Sequence, residues 1–121
     1  MVYTASRAEL IGRLGQAPTV RTAQNGQTVV SFSVATEHTG KDGRRVTDWH
    51  AVVCFGTQAD FAARYLTRGR LVYVAGRLVY RSFEGADGQP RHVAEIIAQE
   101  VGALDRPPAP APGEGETDAD R

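Results

Sequence analysis

Apolar and polar positions alternate most regularly at Val30–Ala35, where Val30, Phe32 and Val34 are interleaved with Ser31, Ser33 and Ala35. A period of two marks a half-buried strand, with Phe32 facing a core. A weaker alternation in "AELIGRL", residues 8–14, predicts an earlier strand, with a loop containing Pro18 after it. Asn25-Gly26 predicts a type I′ hairpin turn between these two strands, because both central residues of such a turn need positive φ. The polar stretch 37–47 holds two glycines and the cluster Lys41, Arg44, Arg45, and reads as a solvated hairpin tip. Trp49 to Phe55 follows as a third strand, with Trp49, Ala51, Val53 and Phe55 on one face and His50, Val52 and Cys54 on the other. Both faces are largely apolar, so alternation leaves open which one points inward.

One stretch has helical spacing. In residues 57–68, Thr57 can cap, Phe61, Tyr65 and Leu66 share a side with alanines between them, Arg64 and Arg68 suit the C-terminal half, and Gly69 is the stop. Leu71 to Phe83 is a long Val- and Tyr-rich strand, in which Gly76 predicts a bend or bulge. A turn with Asp87-Gly88 and Pro90 leads to a last strand at 91–98. The order strand, strand, strand, helix, strand, strand, with hairpins joining strands 1–2 and 4–5, is that of an all-β OB-fold. This is a five-stranded Greek-key barrel with one helix between strands 3 and 4. SH3-like barrels and α+β sandwiches are the alternatives that this order leaves open.

Composition divides the chain. At 121 residues it suits one domain, expected at 1–104. Residues 105–121 are Pro, Ala, Gly and acidic residues without aromatics or β-branched aliphatics, and are expected to form a disordered acidic tail. The formal net charge of zero is a cancellation: residues 1–104 carry 12 Lys+Arg against 9 Asp+Glu, and the tail carries 2 against 5. The mildly basic body makes a polyanionic partner reasonable. All its basic residues except Lys41 are Arg, whose planar fork fits phosphate and whose face stacks on bases. The single cysteine, Cys54, lies in an apolar run and reads as a buried, inert thiol. No signal-peptide pattern and no apolar run near eighteen residues occurs, so a cytoplasmic protein with no membrane partner is expected.

Motifs for catalysis are missing. There is no Cys/His cluster at metal-ligand spacing, no Gly-rich phosphate loop and no nucleophile elbow, and His38, His50 and His92 are scattered singly. No enzyme activity, cofactor or metal is expected. What stands out is the placement of aromatics and arginines on strands. Trp49 and Phe55 share a strand face about 20 Å apart at 3.3 Å per residue, room for more than one nucleotide if that face is outward. Phe83 follows Arg77 and Arg81 on the same parity, which fits stacking beside cations better than core packing.

The segments "LIGRLGQAPTVR", "NGQTVVSFSVAT", "TDWHAVVCFG", "YLTRGRLVYVAGRL" and "RSFEGADGQPRHVAEIIAQEVGAL" occur in this order over about residues 3–104. Together they resemble the bacterial single-stranded DNA-binding protein (SSB) family. The resemblance implies an OB-fold, usually a homotetramer, that coats single-stranded DNA in replication, recombination and repair without chemistry of its own. It implies base stacking on Trp49, Phe55 and Phe83, beside which the basic residues Lys41, Arg44, Arg45, Arg77 and Arg81 are this chain's own candidates for phosphate contacts. It also implies subunit contacts at His50 and near Tyr73, and a nucleoid-associated location in the cytoplasm.

Three departures from the family pattern matter. The loop after the second predicted strand is short and holds His38 where the family often has another tryptophan, leaving His38 as a weak stacking candidate. Ala51 stands where a basic residue is common. The tail ends Thr117-Asp118-Ala119-Asp120-Arg121, without the aromatic tip that docks replication and repair proteins, so that mode of recruitment is not expected. An OB-fold accessory or adaptor protein, primosome-like or plasmid-borne, is the alternative, and RNA binding is a third reading.

Overall fold

A computed structural model describes residues 3–106. Within them, strands β1 (Ala8–Leu14), β2 (Thr19–Thr22), β3 (Thr28–Thr39) and β4 (Arg45–Phe55) precede helix α1 (Gly56–Tyr65), and β5 (Leu71–Glu84) and β6 (Pro90–Ala103) follow it. The strands form one sheet in the order β1-β5-β6-β4-β3-β2, and β1 also pairs with β3. That pairing, Arg13 with Ala35 and Leu14 with Val34, closes five strands into a barrel and leaves β2 outside the ring on β3. β4 and β6 run parallel, and every other pairing is antiparallel. This is the expected OB-fold.

The barrel interior is the inward face of each strand. Val30, Phe32 and Val34 of β3 meet Val52 and Cys54 of β4, Val72 and Val74 of β5, and Ile96 of β6. Burying each such side chain contributes about 1.5–3 kcal/mol, upper values applying to the larger ones. Helix α1 lays Ala59 and Ala62 against this cluster, and Leu66 just beyond its end joins them. Burial pushes the Cys54 thiol up to about 12, so it is unreactive at neutral pH.

Several local expectations need correction. The sequence predicts loop where β2 lies; all four of its residues are exposed, so no alternation betrays it, and it is a strand through its pairing with Val29–Ser31 and Thr28 of β3. The Asn25-Gly26 turn therefore joins β2 to β3. It is not type I′ either. The Gly26 N–H donates to Ala23 O at 2.9 Å, which centres the turn on Gln24-Asn25 and leaves Gly26 as a left-handed bulge residue at φ 85°.

The same turn occurs at Gly40–Arg44 and Gly85–Gln89. In each, a glycine N–H (Gly43, Gly88) closes onto the carbonyl three residues back, and an Asp side chain (Asp42, Asp87) accepts from the N–H two residues on. Asn25 does likewise with the Gln27 N–H. One construction thus sets the register of three hairpins.

Helix α1 is shorter than expected. Thr57 does not cap it; Phe55 occupies the N-cap with no side-chain bond. The helix stops at Tyr65 because Leu66 turns extended to bury its side chain, four residues before Gly69 would have stopped it. Gly69 instead turns the loop, its N–H donating to Leu14 O at 2.9 Å.

The bulge expected at Gly76 is present as a register shift between Ala75 and Gly76. A Cβ on Gly76 would collide with the carbonyl of Ile97. The shift leaves Gln99 as an extra residue, so inward positions on β6 change from Ile96 and Ala98 to Val101 and Ala103. This change of parity explains why alternation alone ends the strand at 98 rather than 103.

Asp105, expected in the tail, is tied to the barrel: its carboxylate accepts from Arg70 Nε at 2.9 Å, Leu71 N–H at 3.2 Å and Arg13 Nη1 at 3.3 Å. The remaining expectation of a disordered tail falls on residues 107–121, outside the described residues.

Candidate nucleic-acid interface

Strand β4 turns its Trp49 face outward. Val52 and Cys54 are fully buried, whereas Trp49 is 61% and Phe55 38% exposed. Strand pairing extends this outward face sideways. Val53 stands between Ser31 of β3 and Ile97 of β6, and Ala51 between Ser33 and Glu95. On the far side of β6, Ile97 and Glu95 pair with Arg77 and Val79 of β5. Two strand spacings, about 10 Å, therefore separate the Trp49–Phe55 row from the arginine row.

A groove of about 500 Å³ opens on this face, between the Gly15–Ala17 turn, Ser31, Ser33, Trp49, Ala51, Val53 and Glu95. Its end wall is the Trp49 indole, which lies over Gly15. A Cβ at Gly15 would meet Trp49 Cζ3 at 2.5 Å and Ser33 Oγ at 3.1 Å. The ring thus approaches Gly15 so closely that a methyl group there would have to displace it. Gly15 itself is fixed by donating its N–H to Ser33 O at 3.1 Å.

Beyond the barrel, β5 and β6 continue as a two-stranded arm. Phe83 is 44% exposed on it and lines a second cleft of about 320 Å³ with Ser82, Glu84, Gly88 and Pro90. Arg81 connects the arm to the groove. Its guanidinium carbon lies 5.5 Å from the Phe83 ring centre, and its Nη2 donates to Glu95 Oε2 at 3.0 Å. The bond to Glu95, with the carboxylate's charge, raises the Arg81 pKa further, so the cation is permanent.

The other candidate cations are spread along this surface. Arg45, on the Trp49 parity of β4, is 3.6 Å from Glu37, and Arg44 is 3.6 Å from Asp42 at the hairpin tip. Among the described residues, no carboxylate lies within 4 Å of Lys41 or Arg77. His38 is not brought to the Trp49 face. The register sets it opposite Val46, and its Nε2 lies 3.2 Å from Asp48 on the side of the ribbon shared with His50.

His50 is half-buried, with Nε2 2.8 Å from Thr36 Oγ1. Tyr73 sits elsewhere, on β5 opposite the exposed Ile11 of β1, and donates its hydroxyl proton to Glu9 Oε2 at 2.7 Å. That hydrogen bond, with some burial and the charge of Glu9, pushes the tyrosine pKa up. Among the described residues there is no cluster of His, Cys, Asp or Glu suited to a metal ion, and no helix is long and apolar enough to cross a membrane.

Sequence reading missed Gly15, Ser31, Ser33 and Glu95. Only Glu95 had a usable signal, as a lone acid amid the apolar residues of "VAEIIA".

Residues 5–104 match the Single-strand binding protein family. The chain belongs to that family. It is 44% identical over 99 residues to the single-stranded DNA-binding protein of Neisseria meningitidis serogroup A, covering 78% of this chain and 57% of the relative. It is 38% identical over 108 residues to that of Xylella fastidiosa, covering 86% and 66%. The match thus spans less than two thirds of the length of these curated relatives. Among solved structures, the chain is similar to the Plasmodium falciparum SSB complex with ssDNA. The TM-score is 0.78 and the identity 32%, over 87% of this chain and 99% of the other.

Proposed function

We propose that the protein binds single-stranded DNA with little regard to sequence, serving replication, recombination and repair as a binding protein without chemistry of its own. The observation that carries this reading is the single sheet face on which Trp49, Phe55 and Phe83 are all exposed beside Arg45, Arg77 and Arg81. Aromatic platforms beside cations bind any base, each stack contributing about 1–3 kcal/mol. Phosphate contacts add a sequence-independent attraction that salt weakens. Lys41 and Arg44 at the β3–β4 tip extend the cationic track. Membership of the family and the likeness to an ssDNA complex support the same reading.

The proposal includes a homotetramer, supported by the exposed Ile11 beside Tyr73 and by the half-buried His50. A nucleoid-associated, cytoplasmic location follows from the DNA partner. Anisotropy of a labelled 30-mer, single-stranded against duplex, tests the function. Tight binding of the single strand alone is expected, and equal or absent binding of the two at low salt contradicts the reading.

A further inference from the structure

β2 lies outside the barrel ring and contributes no side chain to the interior cluster, so closure of the barrel does not account for it. Its register continues the outward face of β3. Thr19 stands beside Ser31 and Arg21 beside Val29, and Val29 in turn stands beside Phe55 of β4. Directly paired residues share a face of the sheet, so Arg21 belongs to the face that carries Trp49 and Phe55. Thr19 already lines the groove there, with Ser31 and Val53. Arg21 is two residues further along β2, in the same cross-strand row as Phe55 and two strand spacings, about 10 Å, from it. Arg77, on the other side of the aromatics, belongs instead to the row of Val53. Val29, between Arg21 and Phe55, is buried and uncharged. Arg21 itself is exposed, and among the described residues no carboxylate lies within 4 Å of it.

We infer that β2 forms a second bank of the DNA track, on which Arg21 binds the phosphate next to a nucleotide stacked on Phe55. The inference rests on the single-stranded DNA reading. A base lying on the Phe55 ring leaves its sugar and phosphates at the margin of the ring, over a neighbouring strand. From Trp49 to Phe55 the β4 strand holds no Lys or Arg, so a cation beside Phe55 has to come from another strand. Arg21 is the one cation among the paired residues of that row. Its long stem can close the gap toward the nucleotide, and its planar fork holds a phosphate through two oxygens. With no carboxylate to neutralise it, the guanidinium meets the phosphate at full charge. The aromatic row is then flanked by cations on both sides, Arg77 on β5 and Arg21 on β2.

Titrations with oligo(dT) across a range of salt concentrations test this on the full chain, Arg21→Gln, Arg21→Lys and Arg64→Gln. Arg64 is the matched control, exposed in the last turn of α1 and likewise without a carboxylate within 4 Å among the described residues. Arg21→Gln is expected to reduce the slope of log affinity against log salt by about 0.7, equivalent to about fivefold weaker binding at 0.1 M salt. Arg21→Lys should keep the slope, and Arg64→Gln should change neither slope nor affinity. Combining Arg21→Gln with Phe55→Ala should lose less than the product of the two single losses, because both side chains grip the same nucleotide. Equal slopes for Arg21→Gln and Arg64→Gln, or losses that multiply in the double variant, overturn the inference and leave the function standing. Failure of the unsubstituted protein to bind oligo(dT) even at low salt overturns both.

Discussion

The indole of Trp49 rests on Gly15, with room for a hydrogen there and none for a methyl group. The most exposed aromatic of the groove is therefore positioned by a residue of a different strand end, not by its own. Gly15→Ala is expected to push the ring off the groove wall and weaken oligo(dT) binding about tenfold, equivalent to about 1.4 kcal/mol. Because Trp49 is exposed and can swing outward, the melting temperature should fall by no more than about 5 °C. Paired binding and thermal melts check this, and a large loss of stability with normal binding by the folded protein contradicts it.

Exposure separates the aromatics by role. Trp49→Ala and Phe55→Ala should each lower DNA affinity by about 1–3 kcal/mol while sparing the fold. Phe32→Ala, at 8% exposure in the barrel, should instead cost about 3–5 kcal/mol of stability. Denaturant unfolding and DNA titration on the three variants distinguish the two classes. Unfolding of the domain by Trp49→Ala contradicts the assignment of that ring as a platform.

Arg77 and Arg81 lie on one strand face but differ in what already holds them. Arg77 has no carboxylate within 4 Å among the described residues, whereas Arg81 is bound to Glu95 and stands over Phe83. If Arg77 meets one phosphate, Arg77→Gln should reduce the slope of log affinity against log salt by about 0.7. Arg81→Gln should change the slope less, because Glu95 neutralises that cation in the free protein. Titrations at four or more salt concentrations measure both, and equal slopes for the two variants contradict the distinction.

The Asp105 clamp gives the fold a pH dependence. Burial alone would raise this carboxyl's pKa, but the Leu71 N–H, Arg70 and Arg13 together hold it below the ordinary value of 3.8. A carboxylate depressed on folding stabilises above its unfolded pKa, and that stabilisation is lost as pH falls through the folded value. Asp105→Asn should therefore melt below the unsubstituted protein at neutral pH. The gap should narrow as pH drops from about 5 toward 3. Melting temperatures of both proteins across that range test it, and a gap independent of pH contradicts the clamp.

How far these features can be read in the sequence depends on burial. Val30, Phe32 and Val34 announce β3 because one face is wholly buried; Thr19–Thr22 give no such contrast and become a strand only by pairing with β3. Parity puts Trp49 and Phe55 together but cannot choose inside from outside, since Val52 and Cys54 are equally apolar. His38 illustrates the converse. Its chemistry suits stacking, but the hairpin register, set by the Gly40–Arg44 turn, carries it to the other side of the ribbon. Gly15 has no signal at all, because its role exists only once β1 and β4 are brought together by the closed barrel.

Trp49, the chain's one tryptophan, is the platform on which the proposed DNA binding chiefly depends. Its fluorescence during titration with oligo(dT) at low and at high salt tests this most directly. Strong quenching is predicted at low salt, with the midpoint moving to higher DNA concentration as salt rises. Binding seen by another probe without any change in Trp49 emission would contradict it.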